Sequence, residues 1–155
     1  ATAPMLPAPT PIGTAAVWYW PTSDGHVSTS STRPEASTTP DYGTAPWTCV
    51  VYTSNPAKSG DDISGTVEQI CNGTGYTPIA VEVVIQKYEA LGYWEDLATP
   101  DMSSWSSDYV VGLEQTTDCS GDGNQLFRVA GNGYADGGLY MSLSVVSTTP
   151  ERWTC

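Results

Sequence analysis

Apolar and polar residues alternate along most of the chain between residues 47 and 155. The stretch PIAVEVVIQKY is the clearest case, with Ile79, Val81 and Val83 on one face and Glu82 on the other. A period of two is typical of half-buried strands. Comparable segments are WTCVVYTS, DISGTVEQIC, YWEDLA, SDYVVGLEQT, NQLFRVAG, GGLYMSLSVVS and ERWTC. Turns rich in Gly, Asn, Asp and Ser separate them, so the pattern predicts an all-β fold, an antiparallel β-sandwich of seven to eight short strands.

The first 46 residues have a different composition. They hold eight of the twelve prolines, fourteen Ser or Thr and only four charged residues. Proline fixes φ and removes a backbone donor, which favours extended chain, and so polar a segment buries little apolar surface. We therefore expect a Pro/Ser/Thr-rich arm over residues 1–46, extended or disordered when alone, and a folded domain over residues 47–155.

The sequence AVWYWP interrupts this arm with a strand-like aromatic segment at residues 16–20. Val, Trp and Tyr favour strands, and Pro21 suits the end of an edge strand. The segment could add a strand to its own domain, act as a plain linker, or dock on another protein by β-augmentation. Because Trp and Tyr dominate interface hot spots, docking is the leading interpretation. Its predicted partner-binding residues are Val17, Trp18, Tyr19 and Trp20.

Four cysteines indicate two disulfides, since there is no CxxC pair and only one histidine to suggest zinc. Three connectivities are open. Cys49 and Cys71 fall on the first two predicted strands after residue 46, whereas Cys119 and Cys155 would tie the last strand to the middle of the domain. Sequential pairing is therefore expected, without a free thiol. It would pin the C-terminus and leave the arm as the free end.

Charge and composition limit the function further. The net charge of -12, with five Lys and Arg in total, argues against binding to nucleic acid or anionic membranes. No apolar run approaches the length of a membrane span. Abundant Ser, Thr, Gly and aromatic residues, with paired cysteines, indicate a secreted, extracellular protein. The start at Ala1 suits a chain from which a signal peptide has been cut, although a tag boundary would leave the same end.

The sequence holds few candidate catalytic residues. The one histidine, His26, lies in the arm, and carboxylate pairs such as Glu95 with Asp96, or Glu82 with Glu89, have no distinguishing context. We expect no enzyme activity and no cofactor. The segment DCSGDGN offers weak calcium candidates in Asp118, Ser120 and Asp122, but Val129 stands where an EF-hand has its bidentate Glu.

Two exposed positions are of interest for sugars. Trp105, in the polar loop PDMSSWSSD, is the tryptophan most expected at the surface and the best candidate for a glycan contact. Asn72 begins the sequon NGT, whose use depends on the host. Trp47, Trp94 and Trp153 fall on predicted strands, where large aromatics usually belong to the core.

The cysteine strands WTCVVYTSNPAKSGDDISGTVEQIC, with YWEDLA, TDCSGDGNQLFRVAG and the final WTC, resemble small secreted two-disulfide proteins of actinobacteria and related Gram-positive bacteria. The resemblance covers residues 47–155 and implies secretion and an all-β fold. Many such proteins have no assigned activity. The layout of arm and sandwich is also similar to small adaptor subunits of secreted bacterial assemblies, including toxin particles.

These observations predict a non-enzymatic binding or assembly module, an adaptor or structural subunit of an extracellular assembly. Its arm would dock on a partner subunit or on a copy of itself. The alternative is a secreted protease inhibitor, with SGDGNQ or TPDMSSW as the presented loop. A carbohydrate-binding sandwich is the third interpretation.

Overall fold

The computed structural model describes residues 15–21, 27–30, 47–137 and 140–155, the first two ranges by their backbone alone. All regular structure in these residues is β, and every strand pair is antiparallel. The all-β, antiparallel prediction is confirmed. The strands are β1 (Ala15–Pro21), β2 (Val27–Ser30), β3 (Trp47–Thr53), β4 (Ala57–Ser59), β5 (Asp62–Gly73), β6 (Ile79–Tyr88), β7 (Trp94–Asp96), β8 (Asp101–Met102), β9 (Val110–Asp118), β10 (Asn124–Asp136), β11 (Tyr140–Val146) and β12 (Glu151–Thr154).

The strands form two sheets. The first has the order β2-β1-β3-β5-β4, with β9 paired to β5 as well. The second has the order β11-β10-β6-β7, with β12 on β10 and β8 on β6. The long strands β5, β6 and β10 are therefore central, and most of the shorter strands pair with one of them.

The predicted number of strands after residue 46 was too low. Residues 47–137 and 140–155 form ten strands, of which β4 and β8 lie in segments that the sequence pattern assigned to turns and loops. β4 has three residues and pairs with the start of β5, and β8 has two residues and pairs with Glu82 and Val83 of β6. Strands this short carry no alternation of their own. They form because a long neighbouring strand offers unpaired backbone groups.

The alternation seen in the sequence becomes one buried core shared by the two sheets. Val51 and Val67 of the first sheet belong to the same cluster as Ile85, Phe127 and Val129 of the second. All five side chains are fully buried. Removing apolar side chains from water is the main favourable contribution to folding, so these inward faces account for most of the stability.

Three glycines allow the backbones of the two sheets to come close. A Cβ on Gly131 would collide with Val67 and with the carbonyl oxygen of Glu82, and one on Gly133 would collide with Val51 and Gln69. Gly65 on β5 has the reciprocal position, where a Cβ would collide with Val129. Glycine is needed here for space rather than for backbone conformation, since none of the three has a positive φ.

Two buried glutamines satisfy backbone groups inside the protein. Gln69 donates from Nε2 to the carbonyl oxygen of Tyr134 over 3.0 Å, which links the two sheets. Gln115 accepts from the amide of Ile85 at 2.8 Å and donates to the carbonyl oxygen of Thr99 at 3.0 Å. Gln115 thereby joins β9 both to β6 and to the segment between β7 and β8. Buried polar groups are tolerated when paired in this way.

The predicted disulfide pairing is confirmed. Cys49 is bonded to Cys71 across the neighbouring strands β3 and β5, and Cys119 is bonded to Cys155. All four cysteines are therefore paired. The second bond joins the end of β9 to the residue that follows β12. It anchors the chain directly after β12, and β12 itself is held by its pairing with β10.

Removing the Cys119–Cys155 bond should lower the free energy of unfolding by about 2–4 kcal/mol, chiefly by freeing the unfolded chain. Because β12 has only four residues and one strand partner, Cys119→Ala with Cys155→Ala should also remove hydrogen-exchange protection from Glu151–Thr154. The matched control, Cys49→Ala with Cys71→Ala, should leave β12 protected. Persistent protection of β12 in the first variant would show that its pairing with β10 suffices.

Part of the predicted arm lies in the first sheet. β1 pairs with β2 on one side and with β3 on the other, from Ala15 opposite Thr53 to Tyr19 opposite Cys49. The remaining residues of the arm, 1–14, 22–26 and 31–46, lie outside the described residues. The division of the chain into an arm and a domain at residues 46 and 47 stays a prediction.

Candidate functional site

The predicted partner-binding residues occupy β1. In backbone register, Val17 lies opposite Val51, Trp18 opposite Val50, and Tyr19 opposite Cys49, all within the same chain. This is the arrangement in which the segment adds a strand to its own domain. Trp20 extends beyond this register and lies opposite Ser28 of β2. The role of these four residues in binding a partner stays a prediction.

β3 is buried on both of its faces along its whole length, whereas β6 is buried on both faces only in part, at Ala80 and Val84 on its outward face. Its inward residues Cys49 and Val51 belong to the core, while Thr48, Val50 and Tyr52 on the opposite face are also buried. Burial of both faces means that the sheet is covered on each side at this strand. The pairing with β1 and β5 on its two sides places β3 within the sheet rather than at its edge.

A hydrogen bond fixes the outward face of β3 to β5. The hydroxyl of Tyr52 donates to Oε1 of Glu68, its cross-strand neighbour, over 2.5 Å. Burial of the ring, followed by this hydrogen bond and by the charge of Glu68, raises the pKa of Tyr52 well above its usual range. The phenol therefore stays protonated and keeps donating throughout the range of pH in which proteins fold.

The outward face of the second sheet carries a row of aromatic side chains. The ring centroids of Trp105 and Tyr134 are 6.3 Å apart, and those of Tyr134 and Tyr140 are 6.1 Å apart. Trp105 is 43% exposed and Tyr140 56% exposed, with Tyr134 half-buried between them. The sequence predicted the exposure of Trp105. We refer to Trp105, Tyr134 and Tyr140 as the aromatic row.

Polar side chains lie directly beside the aromatic row. Asn132 donates from Nδ2 to Oε1 of Glu82 at 2.9 Å and accepts from the hydroxyl of Ser144 at 2.6 Å. The hydroxyl of Tyr134 reaches the same Glu82 oxygen at 3.3 Å. Ser144, Asn132 and Glu82 are paired in register across β11, β10 and β6. We refer to these three residues as the polar row.

The Tyr134 phenol links the two rows chemically. Burial, and then the negative charge of Glu82, raises the pKa of Tyr134. The phenol is therefore neutral near pH 7 and acts as a hydrogen-bond donor to Glu82. Within the described residues, both donors to Glu82 reach Oε1, and its Oε2 has no protein donor.

A second aromatic cluster lies at the other end of this face. Tyr88 and Trp94 contact each other edge to face at 5.1 Å, and the guanidinium of Arg128 lies 4.2 Å above the Trp94 ring. Arg128 also donates from Nε to Oε1 of Gln86 at 2.8 Å. Stacking on an aromatic face and a hydrogen bond together hold the Arg128 side chain flat against the sheet.

The sequence pattern missed Tyr134 and Tyr140 as candidate site residues. Tyr134 lies within the GNGYADGG segment and Tyr140 two residues after it, and Tyr134 alternates in sequence with the inward-facing Gly133 and Ala135. That alternation was a usable signal that Tyr134 faces outward. What could not be read was its proximity to Trp105, because this depends on β10 pairing with β6.

The weak calcium candidates are occupied by protein groups. Asp118 accepts from the backbone amide of Ser120 at 2.6 Å, and the Ser120 hydroxyl donates to Asp61 at 3.0 Å. Asp122 accepts from Lys87 at 3.2 Å. Within the described residues there is no group of three or more His, Cys, Asp or Glu placed to hold a metal ion.

The carboxylate pairs considered for glycoside hydrolysis are not arranged for it. Glu95 and Asp96 are consecutive in β7 and so point to opposite faces. Glu82 lies in β6 and Glu89 follows its end, which at the rise of a strand separates them by roughly 23 Å. The two carboxyl groups of a glycosidase are about 5–9.5 Å apart, so neither pair meets that requirement.

Glu89 does have a carboxylate neighbour, Glu95, at the exposed end of the second sheet. The hydrogen bond with Glu95, and after it the charge of Lys87, lowers the pKa of Glu89. The same contact raises the pKa of Glu95. Both carboxyl groups are open to water and share Lys87 as the nearby cation, which describes a surface charge cluster.

Comparisons with known proteins give no relative. The chain matches no protein-family model, no curated protein and no solved structure. In the described part of the chain, a helix long and apolar enough to cross a membrane is absent.

Proposed function

We propose that the protein is a secreted, non-enzymatic β-sandwich that serves as a binding or assembly module. It would dock through β1 on a partner subunit or on a second copy of itself. The observation that carries the proposal is that the strand-like aromatic segment is added at the side of β3, a strand buried on both faces. The same strand position can be filled by β1 of another copy or by a strand of a partner.

The topology allows such an exchange with little change in free energy. In a swapped pair, β1 of one copy makes with β3 of the other the same backbone hydrogen bonds that it makes within one chain. The connection between β2 and β3 is residues 31–46, whose fully extended length would be roughly 55 Å. That length is ample to reach a neighbouring molecule, so exchange requires little loss of native contacts.

Secretion is supported by the same chemistry that stabilises the fold. Two disulfides persist in oxidising compartments and are rare in the cytosol. The net charge of -12 favours solubility. A module working outside the cell needs this kind of bracing, because it has no chaperone to refold it.

A cross-link between copies tests the exchange. Ala15 lies opposite Thr53 in register, and paired strand positions are close enough for a disulfide. One tagged copy carries Ala15→Cys and a differently tagged copy carries Thr53→Cys. After mixing at high concentration and mild oxidation, we expect a band containing both tags on a non-reducing gel, with a matching dimer in light scattering.

The matched control shifts the register by one residue. Ala16→Cys mixed with Thr53→Cys should cross-link far less, since neighbouring strand residues point to opposite faces. In the same assay, Trp18→Ala with Trp20→Ala should weaken association by roughly thirtyfold, the usual effect of losing a hot-spot aromatic. A chain that stays monomeric at all concentrations, without cross-linking between copies, would contradict self-assembly.

A secreted protease inhibitor remains the alternative, favoured by one observation. The loop between β9 and β10 is braced by the Cys119–Cys155 bond and by the contact of Lys87 with Asp122. A rigid, exposed loop is what an inhibitor presents. A panel of serine and cysteine proteases, assayed with an excess of the protein, separates this function from assembly.

A further inference from the structure

The outward face of the second sheet combines exposed aromatic rings with fixed polar groups. The aromatic row extends from the residues just after β8, through β10, to β11, with rings about one ring-width apart. The polar row crosses the same three-strand region next to it. Exposed aromatic side chains at this density usually mark a binding surface. From this juxtaposition we propose that the face binds an uncharged polysaccharide.

The aromatic row suits the faces of pyranose rings. A sugar ring with equatorial substituents presents axial C–H groups on its flat face, and these pack against the π-face of Trp or Tyr. Two successive spacings of 6.3 Å and 6.1 Å, with neighbouring rings tilted by 53° and 32°, offer one separate ring to each of several consecutive sugar units. The half-buried Tyr134 is held in place by its hydrogen bond to Glu82, so little conformational entropy is lost when a ligand stacks on it.

The polar row supplies the groups that would orient such a chain. Specific sites combine apolar surface with a few fixed hydrogen-bonding groups. Asn132 and Ser144 are already fixed by mutual hydrogen bonding, and within the described residues Oε2 of Glu82 has no protein donor. A sugar hydroxyl can donate to that carboxylate oxygen. Planar amide and carboxylate groups suit hydroxyl pairs because each presents two polar atoms in a fixed geometry.

The negative charge of this face limits which polymers it can bind. The carboxylate of Glu82 lies at the centre of the face, with Asp136 at its margin beside Tyr140, and the whole chain carries a net charge of -12. An acidic polysaccharide or a nucleic acid would be repelled. A neutral, hydroxyl-rich chain avoids that cost and supplies donors to Glu82. A β-linked glucan or xylan has both the flat faces and the neutral charge.

The site and the assembly surface lie on different sheets. The proposed function rests on β1 and β3 of the first sheet, whereas the aromatic row is on the outward face of the second sheet, whose strand β11 packs near β1 and β3. Each function has its own variants, so binding of a polysaccharide and docking through β1 can be tested separately. Such a protein would bring its partner to a glycan-bearing surface.

Affinity electrophoresis of the full chain in gels containing soluble β-glucan or xylan tests the proposal. We expect retardation of the native protein, with dextran, an α-linked glucan, as the negative gel. Trp105→Ala with Tyr140→Ala should weaken binding roughly tenfold or more, as for loss of stacking anchors. Tyr109→Ala removes an equally exposed tyrosine, 61% exposed and outside both rows, and should leave the retardation unchanged.

Asn132→Ala supplies a second variant that leaves the rings in place. It should weaken retardation while circular dichroism and melting temperature stay close to those of the native protein. Failure of the native protein to bind any neutral polysaccharide would overturn the proposal, as would binding that survives the double aromatic substitution. Loss of self-association in Trp105→Ala with Tyr140→Ala, without any sugar binding by the native chain, would show instead that this face is a protein interface.

Discussion

Replacing Gly131 and Gly133 together by alanine should lower the free energy of unfolding by roughly 2–6 kcal/mol, since overpacking a core commonly costs about 1–3 kcal/mol per site. A methyl group at Gly133 would collide with Val51 and Gln69, and one at Gly131 with the Glu82 carbonyl oxygen. The Glu82 carbonyl belongs to β6, the strand paired with β10 in the same sheet, and as a backbone atom it cannot rotate away, so the methyl at Gly131 would distort that strand pair. Val51 and Gln69 belong to the first sheet, so the methyl at Gly133 would push the two sheets apart and disturb the Gln69 contact to Tyr134.

The matched control is Gly112 on β9. It also lies within a strand, but the nearest atoms to an added Cβ would be 3.6 Å away, an ordinary contact. Gly112→Ala should be neutral or slightly stabilising, because glycine weakens a strand interior. Urea unfolding followed by tryptophan fluorescence measures all variants. Equal stability of the double variant and of Gly112→Ala would mean that the two sheets are packed less closely than described.

Strand positions were predictable because the signal is local. Period-two alternation in PIAVEVVIQKY identifies β6 and its inward face without knowledge of any neighbour. The pairing of Cys49 with Cys71 followed from their places on consecutive predicted strands. By contrast, β4 and β8 depend on unpaired backbone groups of β5 and β6. Three- and two-residue strands have no pattern of their own, so the sequence could not indicate them.

The candidate surface was predictable only in part for the same reason. Trp105 was identified from its polar loop, a local feature. Its neighbours Tyr134 and Tyr140 come from β10 and β11, and the polar row joins Glu82 to Asn132 across a strand pair distant in sequence. Sequence alternation says which way a side chain faces. It does not say which strands are neighbours, and that information decides what a surface can bind.

For residues 1–46, composition predicted that a strand would form but not which molecule it would pair with. Prolines, serines and threonines over residues 1–46 indicated a segment without a core of its own, and the aromatic run at residues 16–20 indicated a strand in need of a partner. β1 and its pairing with β3 lie at that run. Whether the strand partner belongs to the same molecule is a property of the assembly, so the exchange experiment addresses a question that composition cannot.

Phe127→Ala should lower the free energy of unfolding by about 3–5 kcal/mol, the usual cost of truncating a large buried aromatic. Phe127 is the one phenylalanine of the chain and is fully buried. Its ring stacks on Trp153 of β12 at 6.0 Å between centroids. The sequence pattern placed Trp153 in the core. The structure leaves it half-buried, and Phe127 occupies the interior beneath it.

Phe127→Leu is the control, because it keeps most of the apolar volume and should cost less than about 1.5 kcal/mol, as volume-conserving core substitutions do. Near-ultraviolet circular dichroism gives a second readout, since Trp153 loses its stacking partner in either variant. Only Phe127→Ala, which leaves a large cavity, should therefore lose much stability, whereas both variants, which lack the ring, should show the spectral change. If both variants were equally destabilised, the stacking of Phe127 on Trp153, rather than the filled volume, would be what holds β12 to the core.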